Sequence, residues 1–352
     1  MNFRIKNVVV LGSGVMGSGI ACHLANIGLK VMMLDILPQA QKHKNNINRN
    51  IVAQEALTKA IKSKPAPLFK NEYASRIKVG NFEDDFEKIR NADWILEVVV
   101  EQLDVKQNIF EKVEKYRKTG SIVSSNTSSI PISQLSQGRS DVFKKHFCGT
   151  HFFNPPRYLR LLEIIPTTET EPELVDFLMR FGEINLGKQT VLCKDTPAFI
   201  ANRIGVMSGV KVFDLTQKYD LSIEEVDALT GSLIGRPNTG TYRLQDLVGL
   251  DTGDKVTQFV VNNVKNDSFF ESVGKEPETK FMTFLLKNKF LGNKTGKGFY
   301  EKTNKKDQKG KTIINALDLK TLEYKPTVLI KNSILKEAKA IEKMQKRISF
   351  LL

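Results

Sequence analysis

Hydrophobic positions along the chain change period several times, and each change marks an element. Val8-Val9-Val10-Leu11 is a β-branched run bounded by glycine, the pattern of a strand buried on both faces. Ile20, Leu24 and Ile27 recur at helical spacing until Gly28, and a second strand from Val31 to Leu34 ends in Asp35. Residues 38 to 63 leave this rhythm. Ile47, Ile51, Ala56 and Ile61 lie scattered among polar groups, which predicts a long exposed helix closed by Pro65 and Pro67. Strands resume over Ile77 to Val79, Asp93 to Glu101 and Ser121 to Ser125, and from Lys145 to Pro166 two apolar strands flank the pair Pro155-Pro156.

Past this point the period is helical. Asp195-Thr196-Pro197 reads as a helix start, a capping residue with proline in the first turn. Phe199, Ile200, Ile204, Met207, Val210 and Leu215 give one apolar face. Ser222 and Glu225 form a capping box for a helix ending at Gly231, and further helical patterns cover about 243 to 265 and 278 to 290. After Tyr300 the pattern fades into a lysine-dominated stretch, then weak helical periodicity to the end. The expected class is α/β: a Rossmann-type dinucleotide-binding domain over 1–193 with a helical arm at about 38–75, an all-helical domain over 194–301, and a basic tail or linker remnant over 302–352.

Gly12, Gly14 and Gly17 follow the first strand in the spacing GxGxxG. The first permits a tight turn, the second lets a pyrophosphate approach the backbone, and the third lets the helix pack close to the strand. Strand, loop, helix, strand and terminal acid occur in order, which is the context this motif requires. The helix N-terminus would hold the pyrophosphate and Asp35 the adenosine ribose, where a 2′-phosphate would meet a like charge, so NAD is favoured over NADP. The rival reading, a secretory signal on Arg4 and Lys6, fails because glycines break the apolar run and a second strand follows.

Composition changes this picture little. The chain has 352 residues, with 53 Lys and Arg against 39 Asp and Glu, a net charge of +14. That suits phosphate-bearing ligands, but the excess is spread and mostly lysine, as on a basic solvated surface, and no nucleic-acid motif accompanies it. Cys22, Cys148 and Cys193 are isolated, with no metal-ligand spacing, and read as reduced thiols of a cytoplasmic protein. No apolar run has the length of a membrane span, so a soluble protein is expected.

Three places carry candidate chemistry. Glu101, taken as the end of a buried strand, falls at the sheet edge where ligands of open α/β sheets bind, which makes it a candidate for the nicotinamide side of the cofactor, and equally could cap the helix starting near Leu103. Asn126-Thr127-Ser128-Ser129 offers hydroxyls and an amide to a ligand, or makes an ordinary turn or cap. His151 and Glu163 each stand six residues from Arg157, so a hairpin centred there sets them opposite one another. A histidine beside a carboxylate is a general base with a fixed tautomer; a histidine among aromatics is also a common core residue.

The motifs GSGVMGSGIA, VVVEQLDVK, SSNTSSIPI, GTHFFNPPRYLRLLEIIP, CKDTPAFIANRIG, GRPNTGTYRLQDLVGLDT and LGNKTGKGFY, in this order, resemble the L-3-hydroxyacyl-CoA dehydrogenases of fatty-acid β-oxidation. The likeness covers about residues 5 to 301 and is strongest to the dehydrogenase part of bacterial multifunctional β-oxidation proteins. It implies His151 as catalytic base with Glu163 as its partner, and Ser128 and Asn202 on the substrate oxygen. It implies NAD contacts from Met16, Asp35, Glu101, Lys106, Ser128 and Asn154, and CoA held in part by the polar arm, with no particular lysine assigned. An acyl-CoA substrate, its chain lying in a cleft between domains, and a homodimer formed through the helical domain follow from the same likeness. The residues after Tyr300 are too few for an enoyl-CoA hydratase domain, which leaves a separate hydratase partner open. The alternatives are a catalytically weak NAD- and acyl-CoA-binding subunit of a larger complex, or a short-chain 3-hydroxybutyryl-CoA or hydroxy-acid dehydrogenase.

Overall fold

The structure is a computed structural model that describes residues 3–38, 48–274, 279–330 and 332–351. It divides into two compact units, Met1–Ile200 and Ala201–Leu352.

In the first unit β1 (Asn7–Leu11), α1 (Val15–Asn26) and β2 (Lys30–Asp35) form the opening parallel βαβ crossover. They are followed by α2 (Ile51–Lys62), β3 (Ile77–Asn81), β4 (Trp94–Glu97), α3 (Leu103–Tyr116) and β5 (Ile122–Ser125). Two short helices, α4 (Ile132–Leu135) and α5 (Asp141–Lys145), precede the hairpin β6 (Phe147–Phe152) and β7 (Leu161–Pro166), then α6 (Pro172–Ile184) and β8 (Gln189–Leu192). The sheet order is β3-β2-β1-β4-β5-β6-β7-β8, parallel through β6, with β7 antiparallel to β6 and β8 parallel to β7. Its central strands β1, β4, β5 and β6 are buried on both faces because alternate residues serve two cores. Val8, Val10, Val31, Trp94 and Leu96 pack with α1 and α6. Val9, Leu11, Ile95 and Val123 pack with Ile109, Phe110 and Val113 of α3.

Three boundaries differ from the sequence expectation. Among the described residues the arm helix occupies Ile51–Lys62, following a turn at 49–50 and ending before Pro65; Ile47 and His43 lie outside the described residues. β4 stops at Glu97, so Glu101 lies in the turn before α3 rather than at a strand end. Asp195 does not begin a helix. Its carboxylate accepts from Ile132 N and Ser133 N at 2.7 and 2.8 Å, capping α4, and the next helix starts at Ala201. Ala198 and Phe199 sit at φ 60° and 50°, a left-handed turn that costs these side chains energy and cannot continue from a helix at Pro197.

The second unit starts with α7 (Ala201–Lys218) and α8 (Ile223–Thr230), whose Ser222–Glu225 capping box forms as expected. The pattern at 243–265 is split by Gly249, at φ 96°, into α9 (Tyr242–Val248) and α10 (Leu250–Asn263). α11 (Ser268–Val273) and α12 (Lys280–Lys287) complete the helical part. Beyond it, where the sequence suggested a fading tail, β9 (Tyr300–Lys306), β10 (Thr312–Leu317) and β11 (Tyr324–Pro326) form a three-stranded antiparallel sheet. Two helices follow, α13 (Ser333–Ala340) and α14 (Met344–Leu351). Tyr300, Ala316 and Leu317 close the core that Ile223, Tyr242, Leu250, Phe281 and Phe299 build. Lysines on both faces of β9 hide its alternation. Among the described residues no helix is long and apolar enough to cross a membrane.

Two aspartates pin this unit. Asp227 accepts from the backbone N–H groups of Thr241, Tyr242 and Arg243 at 2.6–3.0 Å and from the Tyr300 hydroxyl at 2.8 Å. Asp246, its side chain fully buried, accepts from Phe299 N and Tyr300 N, each at 2.8 Å. Burial pushes Asp246 up to about 6, against the pull of those two bonds. The fold therefore favours its protonated form. Its contribution is fullest below the ordinary value of 3.8 and is lost as pH rises through about 6. Asp246→Ala strands two buried donors at roughly 1–3 kcal/mol each, and urea unfolding followed by circular dichroism should show a lower midpoint. Against Asp246→Asn, which cannot titrate, the native chain should lose relative stability across that same pH interval.

Candidate active site

The carboxyl ends of the parallel strands gather the polar groups. Behind β1 the glycine turn is tight: a side-chain carbon on Gly17 would lie 2.0 Å from Gly12 O, and one on Gly12, at φ +108°, 2.6 Å from Val98 O. Gly14 faces open space. It is the N-cap of α1 and no side chain caps that end, so the first amides of a twelve-residue helix point outward. Met16 is half-buried in the same turn. At the end of β2, Asp35 accepts from Ser13 N and Ser13 Oγ at 2.6 and 2.5 Å and from Ile36 N at 2.7 Å. This arrangement fits a dinucleotide: free helix-end amides for the pyrophosphate, no side chain in the way, and a carboxylate at the neighbouring strand end.

At the end of β4 the acid at the strand terminus is Glu97, not Glu101, to which the apolar run extends. Glu97 is fully buried and meets Lys106 Nζ at 2.7 Å, while Glu101 takes a different place. Glu101 Oε1 accepts from Thr127 Oγ1, Ser129 Oγ, Ser128 N and Ser129 N at 2.5, 2.7, 3.1 and 3.2 Å. It holds the turn after β5 and does not cap α3, whose N-cap is Gln102. Burial opposes its charge, but Lys106 and the bonds from Thr127 and Ser129 outweigh that and hold the carboxyl below its usual range. Glu97 goes the other way, raised by burial despite Lys106. Lys106 also reaches Glu101 Oε2 at 3.1 Å and Val99 O at 3.3 Å, so its three hydrogens are engaged within the chain. Nothing in the apolar run WILEVVVE separates Glu97 from Glu101.

β6 and β7 pair with His151 opposite Glu163. His151 Nδ1 lies 2.7 Å from Glu163 Oε2, and both side chains are buried. A carboxylate can only accept, so Nδ1 carries a hydrogen and Nε2 is the ring nitrogen left for other chemistry. The rings of Phe153 and Phe199 stand 4.3 and 5.9 Å from the imidazole, which keeps it in an apolar setting. The left-handed turn at Ala198 and Phe199 aims Ile200 N at Glu163 Oε1, 3.1 Å away. Cys193 sits beside the same carboxylate. Burial first, and then Glu163, pushes its thiol up to about 12.

The turn between β6 and β7 is clamped by Lys188 and Arg157, which no sequence motif marks for this role. Lys188, buried and pushed down to about 8 by that burial, donates to Leu159 O at 2.6 Å and to Pro156 O. Arg157 donates to Ala66 O and Leu68 O at 2.6 and 2.8 Å, tying the turn to the segment after α2. Asn154 is exposed at the start of this turn, and Asn202 lies in the first turn of α7 in the second unit. A lysine beside glycine, as in Leu186-Gly187-Lys188, gives no local sign of this role.

A glycine turn that leaves helix amides open, an acid at the end of β2, and a His–Glu pair on one sheet edge agree with the comparisons. The model of the NAD binding domain of 3-hydroxyacyl-CoA dehydrogenase matches residues 7–196, and that of the C-terminal domain matches 199–302. The chain belongs to the 3-hydroxyacyl-CoA dehydrogenase family. It is 47% identical over 348 residues to a Bacillus subtilis (strain 168) protein named "Probable 3-hydroxyacyl-CoA dehydrogenase", covering 96% of this chain and 43% of that one. A Deinococcus radiodurans protein of the same name is 43% identical, over 88% of this chain and 85% of its own length. The crystal structure of (S)-3-hydroxybutyryl-CoA dehydrogenase from Ralstonia eutropha matches with a TM-score of 0.66 at 28% identity, covering 84% of this chain and 98% of that one. This chain thus spans less than half the length of the Bacillus relative.

Cys22 and Cys148 are pushed up to about 12 by burial alone, so this family member carries three buried thiols that stay protonated. Thiolate is the reactive form. In mildly alkaline buffer a disulfide reagent should label none of the three in the folded chain and all three after unfolding; rapid labelling of the folded chain would contradict this burial.

Proposed function

We propose that the chain catalyses the NAD-dependent oxidation of an L-3-hydroxyacyl-CoA to the 3-oxoacyl-CoA, in fatty-acid β-oxidation. The observation that carries this reading is the buried 2.7 Å His151–Glu163 pair, on the same sheet edge as a glycine turn with open helix amides. NAD, when bound, supplies the hydride acceptor. The amides at the start of α1 hold its pyrophosphate, Asp35 its adenosine ribose, and Met16, Glu101, Ser128 and Asn154 its remaining contacts, with Lys106 acting from behind Glu101.

The chain's own part in the reaction is proton transfer and positioning. His151 Nε2 takes the proton from the 3-hydroxyl as the carbonyl forms, because Nδ1 is already committed to Glu163. Glu163 keeps the ring in that tautomer and faces the imidazolium that results; Ile200 N and Cys193 keep Glu163 in place. Ser128 is assigned to the substrate oxygen, and Asn202 carries the same assignment. The Phe153 and Phe199 rings exclude water from the imidazole, which strengthens its exchange with Glu163. The homodimer and a separate hydratase partner belong to this proposal as well.

Two measurements test it. Following NADH with 3-oxoacyl-CoA substrates of graded length should give turnover, and absence of turnover at every length would overturn the assignment. In that assay His151→Gln should lower kcat by roughly 10²–10⁴-fold while NADH affinity, read by fluorescence titration, stays near that of the native chain. Loss of both together would make His151 a core residue only. Cofactor choice is the second: the Asp35 carboxylate repels a 2′-phosphate, so kcat/KM for NADH should exceed that for NADPH by about tenfold or more. Equal use of the two would mean that Asp35 does not face the ribose.

A further inference from the structure

The end of β4 holds a buried acid, Glu97, that neither proton transfer nor any assigned cofactor contact uses. The side chains of Glu97 and Lys106 are 0% and 1% exposed. Charges this deep are costly unless paired and fully hydrogen-bonded, and a pair of apolar side chains would serve stability equally well. Glu97 is fully bonded. One oxygen accepts from Lys106 Nζ and from Val99 N, each at 2.7 Å, and the other from Ser125 Oγ at 2.5 Å.

Two arms lead outward from it. Through Lys106 the charge reaches Glu101 Oε2 at 3.1 Å, and Glu101 in turn takes four donors of Thr127, Ser128 and Ser129. Through Ser125 it reaches Thr127 N, which donates to Ser125 Oγ at 3.2 Å. Both arms end on the turn Asn126–Ser129. An apolar pair in place of Glu97 and Lys106 would fill the volume, but it would leave Glu101 without a counter-charge and the turn without its anchor. With Glu97 neutral, Lys106 keeps a buried positive charge for which Glu101 is the remaining ion-pair partner among the described residues, and Glu101 is drawn from the turn toward it.

We propose that Glu97 is a positioning residue for the nicotinamide half of the cofactor site, acting through Lys106 and Glu101 to set the Asn126–Ser129 turn. This rests on the reading above that Glu101 and Ser128 face the cofactor. ADP offers only the groups met by the glycine turn and Asp35, whereas NADH offers the nicotinamide half as well.

The experiment compares NADH and ADP binding to the full chain by titration calorimetry. Glu97→Gln should weaken NADH about tenfold and leave ADP within about twofold, the loss of one charge-assisted contact. The double variant Glu97→Gln/Lys106→Met removes both charges. It should restore the urea midpoint lost in the single variant, while NADH affinity stays low because Glu101 remains unguided. If the single variant does not fold, the double variant supplies the same comparison. Equal weakening of NADH and ADP would make Glu97 a purely structural residue, and unchanged NADH affinity would show that the turn is set without it; either overturns the proposal. Should the native chain bind NADH no more tightly than ADP, the reading of the turn as the nicotinamide site fails first, and the proposal with it.

Discussion

The space between Gly12 and Gly17 is too small for one carbon atom, and much of the first unit follows from that. With 2.0 Å between a would-be Cβ on Gly17 and Gly12 O, α1 lies against the end of β1 with no side chain between them. Gly12 is in turn pressed against Val98, the residue after Glu97, with 2.6 Å between a would-be Cβ and Val98 O. The end of β1, the start of α1 and the exit from β4 therefore meet backbone to backbone. This close packing brings the open amides of α1, the Asp35 carboxylate and the Glu97–Lys106 pair to one edge, and any side chain there would separate them.

Parallel strands bury their middles, so polar side chains collect at their ends, where the backbone leaves the sheet. Here each such group finds its partner within the unit: Asp35 on Ser13, Glu97 on Lys106 and Ser125, Glu101 on the turn after β5, Glu163 on His151 and Ile200 N. The groups are oriented before any ligand arrives, which is the condition under which dipoles and charges assist a reaction without reorganising. The left-handed turn at Ala198 and Phe199 is part of this preparation, since it brings Ile200 N to Glu163 at a conformational cost met by the surrounding packing.

In the second unit aspartates bonded to backbone amides do the organising. Asp227 satisfies the amides at the start of α9, and the buried Asp246 those of Phe299 and Tyr300, so a helical core is joined to the first strand of the small sheet through carboxylates. The motif GKGFY is explained by this contact. A side chain at Gly298 would lie 2.1 Å from an Asp246 oxygen.

Local pattern alone determined the strand, glycine turn, helix and strand from Val8 to Asp35, the His151–Glu163 register and the Ser222–Glu225 capping box, because each is set by neighbours within a few residues or one hairpin. The resemblance in motif order placed the chain in its family. What periodicity could not supply was the partner of a polar side chain across the fold. Asp195 looked like a cap for the helix beside it and instead caps α4, 63 residues earlier in the chain. Glu101 looked like a strand end because Val98, Val99 and Val100 continue the apolar run, yet β4 stops when Gly12 meets Val98, and that contact exists only once β1 and β4 pair. Lys188 gave no signal for the same reason, whereas β9 was hidden because exposed lysines on both its faces erase the alternation. A hydrophobic period reports how deep a residue lies, whereas the choice among buried polar partners is made by topology, which brings distant segments close enough for an unpaired charge to be too costly.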